Sequence, residues 1–166
     1  MTSDSTSGQP AGEEVADVRL LRFQLAFGSQ YKGTVRTALL TGRVGLTPNE
    51  IVDTLVDSER HSALVGYPVS VKKVLGAHVH LGPDEGDGYL MEFIDNSHVS
   101  FVLHPSSFPE GHYSTVTLMA KADQSGGSNV TIYQQNVPEE LVPDVREAWE
   151  RDYLKTLQKA DQEAIN

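Results

Sequence analysis

Val142-Pro143-Asp144-Val145-Arg146-Glu147-Ala148-Trp149-Glu150-Arg151-Asp152-Tyr153-Leu154-Lys155-Thr156-Leu157-Gln158-Lys159-Ala160 decides the fold. Val142, Val145, Trp149, Tyr153, Leu157 and Ala160 recur at helical spacing along one stripe, and Asp144, Glu147, Arg151, Lys155 and Gln158 occupy the opposite side. Such a helix lies on something apolar. Pro138 and Pro143 stand near its start, which predicts an initial turn and a main helix from about Pro143, because proline deeper inside would remove a hydrogen bond. Glu147 and Arg151 stand at the i, i+4 spacing of a helical ion pair.

Upstream of this helix the pattern is that of short strands. Val35, Thr37 and Leu39 alternate within Tyr31 to Arg43 and predict a strand. Thr47-Pro48-Asn49-Glu50 is a capping box with proline at the first helical position, so a helix starts there, and Asp57 with Ser58 can cap a second one that ends before Gly66. Beyond Tyr67, alternating segments are separated by turn chemistry, as in an antiparallel meander. Val69 to Leu75 and Ala77 to Leu81 are read as strands; Tyr89, Met91 and Phe93 are read as one face of the next; Val99, Phe101 and Leu103 return to Pro105; Tyr113 to Ala122 and Val130 to Gln135 form a hairpin about Ser125-Gly126-Gly127. Residues 1–14 hold few apolar side chains and are expected to be a disordered tail, with one domain over 15–166. Val15 to Phe27 fits a helix or a strand, with a lean to strand.

Composition narrows the function. With 166 residues the chain can bury a core, and without cysteine it has no thiol nucleophile, disulfide or thiolate metal site. The net charge of -10 repels phosphate backbones and anionic headgroups, so neither nucleic acid nor membrane insertion is expected. Asp4, Glu13 and Glu14 stand where a signal peptide would carry positive charge, and the expected location is cytoplasmic.

Three stretches carry a resemblance: Leu46 to Glu50 with Leu55 and Asp57 to Gly66; Pro109-Glu110-Gly111-His112-Tyr113-Ser114-Thr115-Val116; and Asn136-Val137-Pro138-Glu139-Glu140 leading to Trp149 and Tyr153. In this order they resemble the homologues of the activator of the ninety-kilodalton heat-shock protein ATPase, within the START-like (SRPBCC, birch-pollen-allergen-like) superfamily. The resemblance implies an α+β helix-grip fold. That fold is a curved antiparallel sheet of about six or seven strands, with two short helices after the first core strand and a long C-terminal helix on the concave face. It also implies either a stress-linked chaperone partner or, by analogy with the superfamily's carriers, a small hydrophobic ligand held between sheet and helix. Where the family often has tryptophan this chain has Leu64, Leu103 and Phe108, which would enlarge such a cavity unless other side chains fill it.

The expected ligand-lining residues are therefore Trp149, Tyr153, Leu64, Leu103, Phe108, Tyr113, Met91 and Phe101, each of which could equally be plain core packing. No cofactor, metal or catalytic residue is expected. His78 and His80 share one strand face near Asp84, Glu85 and Asp87, but that spacing is generic, and the acidic loop reads as a solvated turn. An enzyme of cyclase or hydrolase type would need groups among Glu92, His98, His104 and His112 to converge in a cavity. A non-enzymatic binding module, monomeric or weakly dimeric, is the leading expectation.

Overall fold

The structure, a computed structural model, describes residues 31–165. The tail expected over 1–14 and the strand favoured over Val15 to Phe27 lie outside the described residues. Among the described residues six antiparallel strands form one curved sheet: β1 (Val35–Val44), β2 (His78–His80), β3 (Asp87–Ile94), β4 (His98–His104), β5 (Ser114–Ala122) and β6 (Ser128–Pro138), in the spatial order β1-β6-β5-β4-β3-β2. β1 leads into α1 (Pro48–Leu55) and α2 (Ser58–Val65), and the chain ends in a long helical segment. This is the helix-grip arrangement.

The short helices start and stop for local reasons. Thr47 Oγ1 accepts from the Glu50 amide at 3.1 Å while the Glu50 carboxylate accepts from the Thr47 amide at 2.8 Å, closing the capping box. Asp57 caps α2 through the Arg60 amide at 2.8 Å, and Gly66 ends it at φ 86°, a conformation that costs a residue with a Cβ. α1 turns Ile51, Val52 and Leu55 into the core.

Two strand readings are corrected by polar contacts and by an extra residue. Val69 to Leu75 is not a strand, because the hydroxyls of α2 take the place of a strand partner: Ser62 Oγ accepts from the Val69 amide and Ser58 Oγ from the Val71 amide, each at 2.8 Å. Only Ser70 bridges, to His80. In β3 the register shifts between Leu90 and Glu92, and such a bulge sends the residues on its two sides to opposite faces. Tyr89 therefore pairs with Val102 on the outer face, whereas Leu90 and Phe93 pack with the core.

The C-terminal segment begins with a 3-10 turn (Glu139–Leu141) and continues as α3 (Val142–Trp149), a π-helical turn (Glu150–Leu154) and α4 (Lys155–Ile165). Val145, Trp149, Tyr153 and Leu157 enter the same core as Phe101, Leu103 and Leu118 of the sheet. The π turn spends one extra residue per turn, so Asp152, Tyr153 and Leu154 are all buried. Leu154 comes so close to β1 that a Cβ on Gly42 would stand 2.9 Å from its Cδ1. The Glu147–Arg151 pair read from spacing gives way to Arg151 bonds with Asp84 and Asp152, at 2.6 and 2.9 Å.

Thr47→Ala removes the hydroxyl that anchors α1 and is expected to lower unfolding stability by about 1 kcal/mol, read as a reduced urea midpoint with an unchanged m-value.

Candidate functional site

Between the sheet and the C-terminal helix the expected lining residues are brought together only in part. Trp149, Tyr153, Phe101, Leu103 and Phe108 belong to one buried cluster, and Leu64 packs on its margin. Met91, the bulge residue, is buried outside that cluster, and Tyr113 is half-buried beside His104. The Trp149 and Tyr153 rings lie 4.6 Å apart at 44°.

The polar ends of both aromatics are satisfied from inside the protein. Trp149 Nε1–H donates to Gln134 Oε1 at 2.7 Å, and Gln134 Nε2–H donates to Ser114 Oγ at 2.5 Å. The indole can only donate, so it fixes the orientation of the Gln134 amide. Tyr153 O–H donates to His61 Nε2 at 2.7 Å, and His61 Nδ1–H donates to the Leu55 carbonyl at 2.9 Å. A carbonyl on one side and a phenol on the other suit the neutral Nδ1–H tautomer, and burial favours it by lowering the imidazole pKa from 6.5 to about 4. Burial in turn holds the Tyr153 hydroxyl well above its ordinary value, so it stays a donor.

A second buried group pins the π turn. Glu85, on the loop between β2 and β3, is 2% exposed and lies against Asp152 of the helix. Tyr67 Oη is 3.1 Å from Glu85 Oε1 and 3.2 Å from Asp152 Oδ2, so its single hydrogen faces two acceptors. Burial, then the hydrogen bond and charge of Asp152, raise the Glu85 carboxyl from 4.5 to about 9. Burial also pushes Asp152 up, but hydrogen bonds from Arg151 and Glu85 outweigh it and hold Asp152 below its ordinary value. The opposite shifts place the shared proton on Glu85, against the Asp152 carboxylate. The acidic loop read as a solvated turn is thus split: Asp84 is exposed and Glu85 is internal.

On the outer face, β2, β3, β4 and the approach to β5 bound a cleft of about 590 Å³. His78 stands opposite Tyr89, and His80, Asp87 and His104 form the adjacent cross-strand row. The His78 and Tyr89 rings meet edge to face at 5.6 Å and 87°, and His104 and Tyr113 at 5.3 Å and 48°. His104 Nε2 lies 3.0 Å from the Pro109 carbonyl, and His80 Nδ1 pairs with Asp87. Gly86 lets the loop close over this end: at φ 94° it has no Cβ, which would stand 2.5 Å from the His104 carbonyl oxygen. Among the described residues no group of three or more His, Cys, Asp or Glu is arranged to hold a metal ion.

The four candidate acid/base residues do not converge in a cavity, although two of them meet. His98 pairs with Glu92 at 2.7 Å, His104 serves the cleft wall, and His112 Nε2–H donates to the Asn136 carbonyl at 2.8 Å. Asn136 in turn donates from Nδ2 to the Tyr113 carbonyl at 2.8 Å while adopting φ 67°, a conformation asparagine tolerates. Two of the three motif stretches meet here. Sequence reasoning did not single out His61, Gln134, Glu85 or Asp152 as interior groups; a polar residue gives no local sign that it will be buried.

No family model matches the chain. Over 128 residues, 77% of its length, it is 22% identical to "Activator of 90 kDa heat shock protein ATPase homolog 1" of Mus musculus, and equally to that of Homo sapiens. The match covers 36% of each, so the chain spans about a third of the length of the curated relatives it matches. Among solved structures it is similar to PFC0360w, an HSP90 activator from Plasmodium falciparum, with TM-score 0.67, 14% identity and coverage of 75% of this chain and 94% of that one. The Aha1 dimer from Colwellia psychrerythraea gives 0.65, 14%, 76% and 96% in the same terms. DynU16, a putative protein in the dynemicin biosynthetic locus, gives 0.60, 16%, 74% and 46%. The chain has the START-like helix-grip fold of the heat-shock ATPase activators.

Two pH responses are expected. Unfolded His61 takes a proton below pH 6.5 and folded His61 only near 4, so the unfolded state binds more protons and stability falls as pH drops through that window, by about 3 kcal/mol from this group. The stability advantage of wild type over His61→Gln, followed by urea unfolding, should shrink from pH 7.5 to 4.5; a gap independent of pH contradicts the buried neutral ring. For Glu85 the sign reverses: the folded state keeps its proton to about 9 and the unfolded state releases it near 4.5, so stability falls as pH rises between them. Glu85→Gln, which retains a donor for Asp152, should match wild type near pH 5 and exceed it at pH 8.

Proposed function

We propose that this chain is a non-enzymatic binding module that acts through its surface on a chaperone of the ninety-kilodalton heat-shock ATPase kind. The observation that carries this reading is the occupied interior. Trp149 and Tyr153 are at most 1% exposed, and their polar atoms already serve Gln134 and His61. A core closed in this way leaves recognition to the outside of the fold. The named activators supply the partner class, because they are what the sequence matches over 128 residues. The setting proposed with it is the cytoplasm, with the chain a monomer or weak dimer in a stress response.

A second reading keeps a small hydrophobic molecule between the sheet and the C-terminal helix, against Trp149, Tyr153, Phe101, Leu103, Phe108 and Leu64. The half-buried edge at Leu64, Val65 and Tyr67 favours it, since an entry there would need only side chains to move. The likeness to a protein of a biosynthetic locus supports it further. A cyclase- or hydrolase-like reading finds no such support, because Glu92 and His98 pair away from the cleft while His104 and His112 bond to the Pro109 and Asn136 carbonyls.

The purified chain is expected to co-elute with the same cell's ninety-kilodalton chaperone and to raise its ATP turnover. Absence of both binding and stimulation would end the first reading. A rise in melting temperature with a fatty acid or sterol, lost in Trp149→Phe/Leu64→Trp, would move the assignment to the second.

A further inference from the structure

We propose that the outer-face cleft over β2, β3 and β4 is a binding site for a planar aromatic cation. Its walls are two cross-strand rows, His78–Tyr89 on one side and His80–Asp87–His104 with Tyr113 on the other. Side chains two residues apart on a strand face stand about 7 Å apart. That gap admits one flat ring in contact with both walls, since carbon atoms pack at about 3.5 Å on each side.

The walls are set before a ligand arrives. His78 holds Tyr89 edge-on at 5.6 Å, and His104, tied to the Pro109 carbonyl at 3.0 Å, leans on Tyr113 at 5.3 Å. Side chains already ordered lose little freedom on binding, and affinity gains accordingly. The volume of about 590 Å³ suits a molecule of two or three fused rings.

Charge selects the sign of the ligand. Asp87 supplies a carboxylate, no lysine or arginine among the described residues lines the cleft, and the tyrosine faces present negative π density. The chain as a whole carries a net charge of -10, which raises the local concentration of cations and lowers that of anions. Asp87 is 56% exposed at its side chain and paired with His80, so it can meet a ligand at the mouth without leaving a buried charge behind. This site faces away from the helix-filled interior and is independent of the chaperone reading.

The test uses three tricyclic probes at pH 7.5: proflavine, a cation; acridine, its neutral counterpart; and acridine-9-carboxylate, an anion. Fluorescence titration of the full chain is expected to give saturable one-to-one binding of proflavine, weaker binding of acridine, and none of the carboxylate. Asp87→Asn should weaken proflavine by about tenfold and leave acridine unchanged. Tyr89→Ala should abolish binding of both, and Tyr89→Phe, which keeps the ring, should retain it; thermal unfolding of each variant reports whether the fold is kept. Proflavine binding that is non-saturable, unaffected by Asp87→Asn, or matched by the carboxylate would overturn the proposal, as would no binding at all.

Discussion

A tryptophan and a tyrosine sunk into one core bring an N–H and an O–H with them, and each must find an acceptor away from water. In this protein Gln134 of β6 receives the indole and His61 of α2 receives the phenol, at 2.7 Å in both cases. These two bonds fix the C-terminal helix against the sheet on one side and against the short helices on the other. Area burial alone could have been met by several rotations of the apolar stripe; two directional acceptors admit one. That seating also decides which face of the sheet turns away from the helix.

The seating also explains the π turn. Directly after Trp149, the extra residue lets Asp152, Tyr153 and Leu154 all turn inward, toward Glu85, His61 and Gly42 respectively. A regular α-helix would have sent one of them to solvent. The protonated Glu85 then ties the loop before β3 to the same turn, so the inner helix contact and the wall of the outer cleft are joined through the Gly82 to Gly86 loop. Interior and surface are linked here through that loop.

Much of the fold was legible because its signals are local. The Thr47 to Glu50 box, the turn at Ser125 to Gly127, and the stripe from Val142 to Ala160 each announce an element within a few residues. What was hidden depends on distant partners. His61 reads as a polar position on a short helix until Tyr153, 92 residues away, supplies its donor. Gln134 alternates like its apolar neighbours, and only the indole shows why an amide belongs there. The Met91 bulge breaks the alternation of β3, so Tyr89 and Phe93, read as companions, part to opposite faces. Tyr113, grouped with the interior aromatics on the strength of a motif, belongs instead to the outer cleft.

Trp149 is the sole tryptophan, so its indole N–H gives one assignable proton resonance. Its hydrogen–deuterium exchange in solution reports directly on whether the ring is buried and bonded to Gln134. Exchange that proceeds only with global unfolding, at the rate set by the unfolding free energy, is the expected result. An indole N–H that exchanges within seconds under native conditions would contradict the seating on which the account rests.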